Sequence, residues 1–132
     1  MLVSLLSLKQ VNLMKSYSKN IKRLLREYIV KAYDRELHRE LVKLDMSFAQ
    51  WRDGKIDSDE LNYRIHQYHS GASRDLYKKY NNANDDMNVA YAIVTDILNR
   101  DEIPAELLEA LTGLLEFYQS IKDEGELKAP GE

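Results

Sequence analysis

Between Ser18 and Arg52 the chain contains neither glycine nor proline, and its apolar residues recur at three- and four-residue steps. Ile21, Leu24, Leu25, Tyr28, Ile29, Ala32 and Tyr33, followed by Leu37, Leu41, Leu44, Phe48 and Trp51, form a helical stripe. Ser18 is placed to cap its start. A single helix of this span is about 52 Å long at about 1.5 Å per residue. A compact domain of this size has a radius of gyration of about 14 Å and hence a diameter of roughly 36 Å. The helix outruns its own globule. Either it bends near residues 33–35, where the stripe slips, or one end protrudes and meets a partner. The second outcome is the expectation, commonly as a homodimer.

The rest of the chain reads as shorter helices. Asp57 caps a second helix over 58–68 that stops at Ser70-Gly71, and Ser73 starts a short third through Leu76, Tyr77 and Tyr80. Asn84 or Asp85 opens a fourth, with acids in its first turn as the helix dipole prefers. Met87, Val89, Ala90, Tyr91, Ile93, Val94, Ile97 and Leu98 are apolar on most sides, which makes that helix central. Pro104 suits the first position of a fifth helix. Its stripe of Leu107, Leu111, Leu114, Tyr118 and Ile121 ends at Gly125. No alternating strand pattern or internal repeat is visible. The fold class is therefore all-α: a single-domain bundle of about five helices, with the long N-terminal helix packed on the leucine-rich C-terminal one.

Residues 51–61, WRDGKIDSDEL, join the long helix to the second. Asp53-Gly54, Ile56, Glu60 and Leu61 resemble the second half of an EF-hand calcium loop. Placing Gly54 at the sixth loop position puts Ala49 at the first and Trp51 at the third, and neither offers a carboxylate. Calcium is therefore not expected. The same residues make a good corner. Gly54 closes one helix in a left-handed conformation, and Asp57 with Glu60 starts the next in a capping-box-like pair. Ile56 is placed to staple onto Leu61.

Composition narrows the function. The 132 residues contain no cysteine, which removes disulfide scaffolds, thiolate metal sites and cysteine nucleophiles, and suits the cytoplasm. No apolar run approaches the roughly 18 residues of a membrane span. The first thirteen residues, MLVSLLSLKQVNL, lack the charge and cleavage pattern of a signal peptide. Residues 1–14 form an apolar leader: an extension upstream of a start at Met14, a frayed end, or a segment docked on the bundle. Residues 15–125 form the helical domain, and 126–132 an acidic tail. Net charge is −3 but unevenly spread, with a basic N-terminal part and an acidic C-terminal part. Side-by-side packing of the two ends would let them complement each other.

No constellation of residues points to catalysis. A glycine-rich phosphate loop, a GxSxG elbow and a cysteine nucleophile are all missing, and no carboxylate pair stands out. The chain is thus read as non-enzymatic, with no cofactor. His66 and His69, three apart, are a weak candidate metal pair, without HExxH or ExxH spacing and with His38 on another helix. Nine tyrosines stand against two phenylalanines, a choice that suits interface rims, where the ring is buried and the hydroxyl wet. The expected function is a protein–protein interaction or regulatory module that self-associates. Its interface candidates are Tyr28, Tyr33, Leu37, Phe48 and Trp51 on the long helix, with Tyr63 and Tyr68 opposite. A nucleic-acid-binding accessory protein is the alternative. It would use Lys19, Lys22, Arg23 and Arg26, within a stretch, residues 15–35, holding seven Lys/Arg and two acids.

Overall fold

A computed structural model of the chain describes residues 16–131. The apolar leader through residue 14, and with it the question of a start at Met14, lies outside the described residues. The described residues form an all-α fold without strands.

The long helix, α1 (Lys19–Arg52), is one uninterrupted helix. The Ile21 amide donates to Ser18 Oγ at 3.1 Å, satisfying one of the free N–H groups at its start. At its other end Gly54 has φ +75°, the left-handed conformation that costs glycine least. The Gly54 amide donates to the Trp51 carbonyl and the Lys55 amide to that of Gln50, at 3.0 and 2.8 Å. This pair of bonds is a Schellman motif, and it turns the chain through the expected corner. Helix α2 (Ser58–Tyr68) starts where Asp57 Oδ1 accepts from the Glu60 amide at 2.8 Å. The capping box is only half made, because the Glu60 carboxylate lies 3.6 Å from Arg64 Nε instead.

The expected break at Ser70-Gly71 is absent. A π-helical turn, His69–Ser73, carries α2 without interruption into α3 (Arg74–Tyr80). Such a turn holds one extra residue, which rotates everything after it by about 100° around the axis. That rotation lets Leu61, on α2, and Tyr80, on α3, both be buried. Gly71, with no positive φ, is tolerated there as a helical residue.

Helix α4 (Asp85–Val94) is central, as its all-round apolar sequence implies, but ends four residues early. Asp96 takes φ +63° and reverses the chain, while Ile97 and Leu98 still enter the core from the loop. Two α1 residues hold that loop. Arg35 donates to the Ile97 carbonyl at 3.0 Å and pairs with Glu102 at 2.8 Å, and Tyr28 donates to the Glu102 carbonyl at 2.8 Å. Lys122 Nζ donates to the Val94 carbonyl at 2.9 Å and so caps the end of α4.

The fifth helix starts after Pro104 and breaks at Leu111 into α5 (Ala105–Ala110) and α6 (Thr112–Asp123). The expected packing of α1 on the leucine-rich fifth helix is made through its first part, α5. Helix α4 lies against both α1 and α6, and α5 against α1. The core gathers Leu24, Leu25, Tyr28, Ile29 and Ala32 of α1 with α4, the loops beside it, α5 and α6. Each fully buried leucine here is worth roughly 1.5–3 kcal/mol relative to exposure.

Candidate interaction surface

The core cluster takes nothing from α1 beyond Tyr33. Residues 37–52 instead pair with α2 to make a helical arm. At about 100° per residue, the core-facing residues Leu24, Leu25, Tyr28, Ile29 and Ala32 define one side of α1. The stripe of Leu37, Leu41, Leu44, Phe48 and Trp51 is rotated roughly 150° from them. The slip in the stripe is therefore a change of face within an unbroken helix.

What lies between α1 and α2 in the arm is in part polar. Ser47 is buried, and its Oγ accepts from Arg64 Nη1 at 3.2 Å. The same guanidinium donates to Gln50 Oε1 at 2.6 Å. At the tip, Trp51 Nε1 donates to Ser58 Oγ at 3.0 Å, and its ring meets Phe48 edge-on, with centroids 6.5 Å apart. Leu61 is the buried apolar residue that α2 contributes. Outside, the arm leaves Leu41 46%, Val42 45%, Met46 60% and Trp51 41% exposed. The inside of the arm thus mixes Ser47, Gln50 and Arg64 with Leu61 and the half-buried Leu44 and Ile65, and its outside sets a few exposed apolar side chains among charged ones.

The arm joins the body at a buried carboxylate. Glu36 is only 4% exposed. It accepts a short hydrogen bond from the Tyr80 hydroxyl and pairs with Lys79 Nζ at 2.9 Å. Burial first, and then the bond to Glu36, push the Tyr80 phenol well above its ordinary range. Lys79 also lies 4.2 Å from the centroid of the Tyr91 ring. Beside this group is a cleft of about 910 Å³, lined by Glu36, Arg39, Lys79, Tyr91 and the C-terminal segment among others. That segment lies against the body. Leu127 packs on the core, and the Tyr91 hydroxyl donates to the Lys128 carbonyl at 2.6 Å.

The interface candidates divide accordingly. Tyr28 leaves the set, because it is buried in the core and its hydroxyl is spent on Glu102. Tyr33 is half-buried against Tyr80, with ring centroids 5.4 Å apart. Leu37 and Phe48 are half-buried along the edge of the arm, and Trp51 sits at its exposed tip. Tyr63 is exposed, whereas Tyr68 lines a small hollow between the two helices of the arm. Val42 and Met46 were missed, because neither falls on the apolar stripe by which α1 was read. Their signal was being apolar off that stripe.

Lys19, Lys22, Arg23 and Arg26 are all exposed, on the side of α1 away from the core. The expected complementarity of the chain's two ends rests mainly on Arg35 with Glu102 and on the Tyr17 hydroxyl, which donates to Asp86 at 3.0 Å. His66 and His69 are both exposed, and no group of three or more metal-ligating side chains gathers among the described residues. Asp53 and Asp57 act at the corner as C-cap and N-cap. Among the described residues no helix is long and apolar enough to cross a membrane. Neither a protein-family model, nor a curated protein, nor a solved structure matches the chain.

Proposed function

We propose that the protein is a non-enzymatic, cytoplasmic interaction module that docks a protein partner, beginning with a second copy of itself, on the outward face of its arm. One observation carries this reading: Leu41, Val42 and Met46 are all exposed on the half of α1 that lies beyond the core. A helix gains its stability by covering an apolar face, and among the described residues nothing covers these three side chains. Light scattering across a concentration series tests it. A mass that rises toward the dimer, and falls back to the monomer in Leu41→Glu and Met46→Glu, is the expected result. A wild-type protein that stays monomeric and brings no protein with it when purified untagged from its own cell would remove the reading.

A second reading has its own observation. The exposed row of Lys19, Lys22, Arg23 and Arg26 could meet phosphates. It requires DNA or RNA retardation at low salt that weakens when these four are neutralised, and no retardation would end it.

A further inference from the structure

We propose that the cleft between body and arm is a groove for a peptide segment, filled in cis by residues 127–131 and open to a partner segment with the same two anchors, a leucine and, three residues on, a proline. The site is separate from the outward face of the arm and does not rest on it.

The end of α6 steers the segment into the cleft. Gly125 takes φ +74°, its amide donates to the Lys122 carbonyl at 3.0 Å, and the Glu126 amide donates to that of Ile121 at 3.1 Å. This Schellman motif ends the helix and turns the chain back toward α4. Leu127 then packs on the core, and Pro130 is half-buried in the wall of the cleft, while Lys128 and Ala129 between them are exposed. Farther along, a methyl added at Gly131 would lie 3.9 Å from Lys43 Nζ on the arm. The segment thus crosses from body to arm with two side chains, three apart, as its anchors.

The group that recognises the segment is held by the fold itself. The Tyr91 ring meets Tyr118 edge-on with centroids 6.0 Å apart, and Lys79 Nζ lies 4.2 Å from the Tyr91 centroid. Lys79 is fixed in turn by the buried Glu36. The Tyr91 hydroxyl is therefore already aimed where it donates to the Lys128 carbonyl at 2.6 Å. A bond to a main-chain carbonyl between two apolar anchors reads the backbone and spacing of a peptide, and leaves the intervening side chains free to vary.

The resident segment underuses its seat. With it in place the cleft still measures about 910 Å³, and two of the segment residues that line it, Ala129 and Gly131, are small. A larger apolar side chain in place of Ala129 would bury more surface. That lets a partner segment compete with a tethered one, whose effective concentration is on the order of millimolar.

The full chain and a chain lacking residues 127–132 are each titrated with a capped peptide of residues 126–131, to about 5 mM so as to exceed the tether's effective concentration. Amide NMR shifts at Lys43, Lys79 and Tyr91 are expected in the shortened chain, with a response about ten-fold weaker in the full chain. Leu127→Ala in the full chain, which weakens the resident segment and leaves the groove intact, is expected to recover binding. The same peptide carrying Ala129→Leu is expected to bind several-fold more tightly. No shifts in a folded shortened chain, or equal shifts in both chains, would overturn the groove. Loss of helical circular dichroism on shortening would overturn it too, because the segment would then belong to the core. An Ala129→Leu peptide that binds no more tightly would overturn the advantage given to a partner.

Discussion

The first and second halves of α1 share one hydrogen-bonded helix, yet the first is buried in the core and the second is covered far less. Up to Tyr33, leucine, isoleucine and tyrosine face inward, and lysine, arginine and the single exposed apolar residue Val30 face out. Beyond Leu37, Ser47 and Gln50 are joined to Arg64 on the inside, while Leu41, Val42 and Met46 face water. The first half is a core element completed within the chain. The second half is incomplete by the same physical criterion, and this marks it as the surface to test.

Substitutions that treat the two halves alike should give unlike results. Leu107→Ala, in the body beneath the first half, is expected to cost about 3 kcal/mol in denaturant unfolding, since it opens a cavity in a packed core. Met46→Ala, on the arm, is expected to change stability by no more than about 0.5 kcal/mol. A loss of similar size at Met46 would mean that the arm's outer face is covered within the chain.

Glu36 lies where the two halves meet, so Glu36→Ala sharpens the boundary. Leaving Lys79 and Tyr80 without their carboxylate is expected to cost about 2 kcal/mol, below the 3–5 of a fully buried pair because Lys79 is partly exposed. Limited proteolysis should then cut first in the arm.

Alkaline pH acts on the body. Tyr17, Tyr80 and Tyr118 all have raised phenol pKa values, with burial the first cause in each case. The unfolded chain loses these protons near pH 10, whereas the folded chain keeps them to higher pH. Above pH 10 the unfolded state thus binds fewer protons, and stability falls as pH rises. Melting temperatures followed from pH 8 to 12 should be level and then decline past pH 10, and Tyr80→Phe should lessen the decline.

Small effects are also expected at two left-handed residues. Gly54→Ala is expected to cost about 1 kcal/mol through backbone strain alone, because the added methyl meets nothing within 4 Å. Ala83, at φ +65°, carries the reverse liability. Ala83→Gly is expected to stabilise by about 0.5 kcal/mol, the relief of strain being partly offset by glycine's greater freedom in the unfolded chain. Thermal melts of the two variants should move in opposite directions.

Much of the fold was legible because its causes are local. Ser18, Asp57 and Gly54 act on amides and carbonyls within a few residues of themselves, and α4 is apolar on most sides whatever packs on it. The π turn at Gly71 was not legible. A glycine there reads as a stop, and only the need to bury Leu61 and Tyr80 on one run selects the wider turn. The early end of α4 was hidden in the same way, since Asp96 looks like an ordinary helix surface until Arg35 and Lys122 take the loop carbonyls beside it. Of the interface candidates, Trp51 and Tyr63 proved exposed and Tyr28 did not. Periodicity reports that a residue is apolar and on a stripe, not whether the chain itself covers that stripe.

By itself, then, the sequence determined that the chain is helical, that its N-terminal helix is long, and where the corner after it turns. These follow from backbone preferences and spacing, which act over a few residues. Which face of the long helix is buried, and which stays exposed, only the tertiary structure decided. The reason is that burial belongs to pairs of distant segments: Ser47 and Gln50 are covered because Arg64 returns across them, and Leu41, Val42 and Met46 are exposed because none of the described residues returns there.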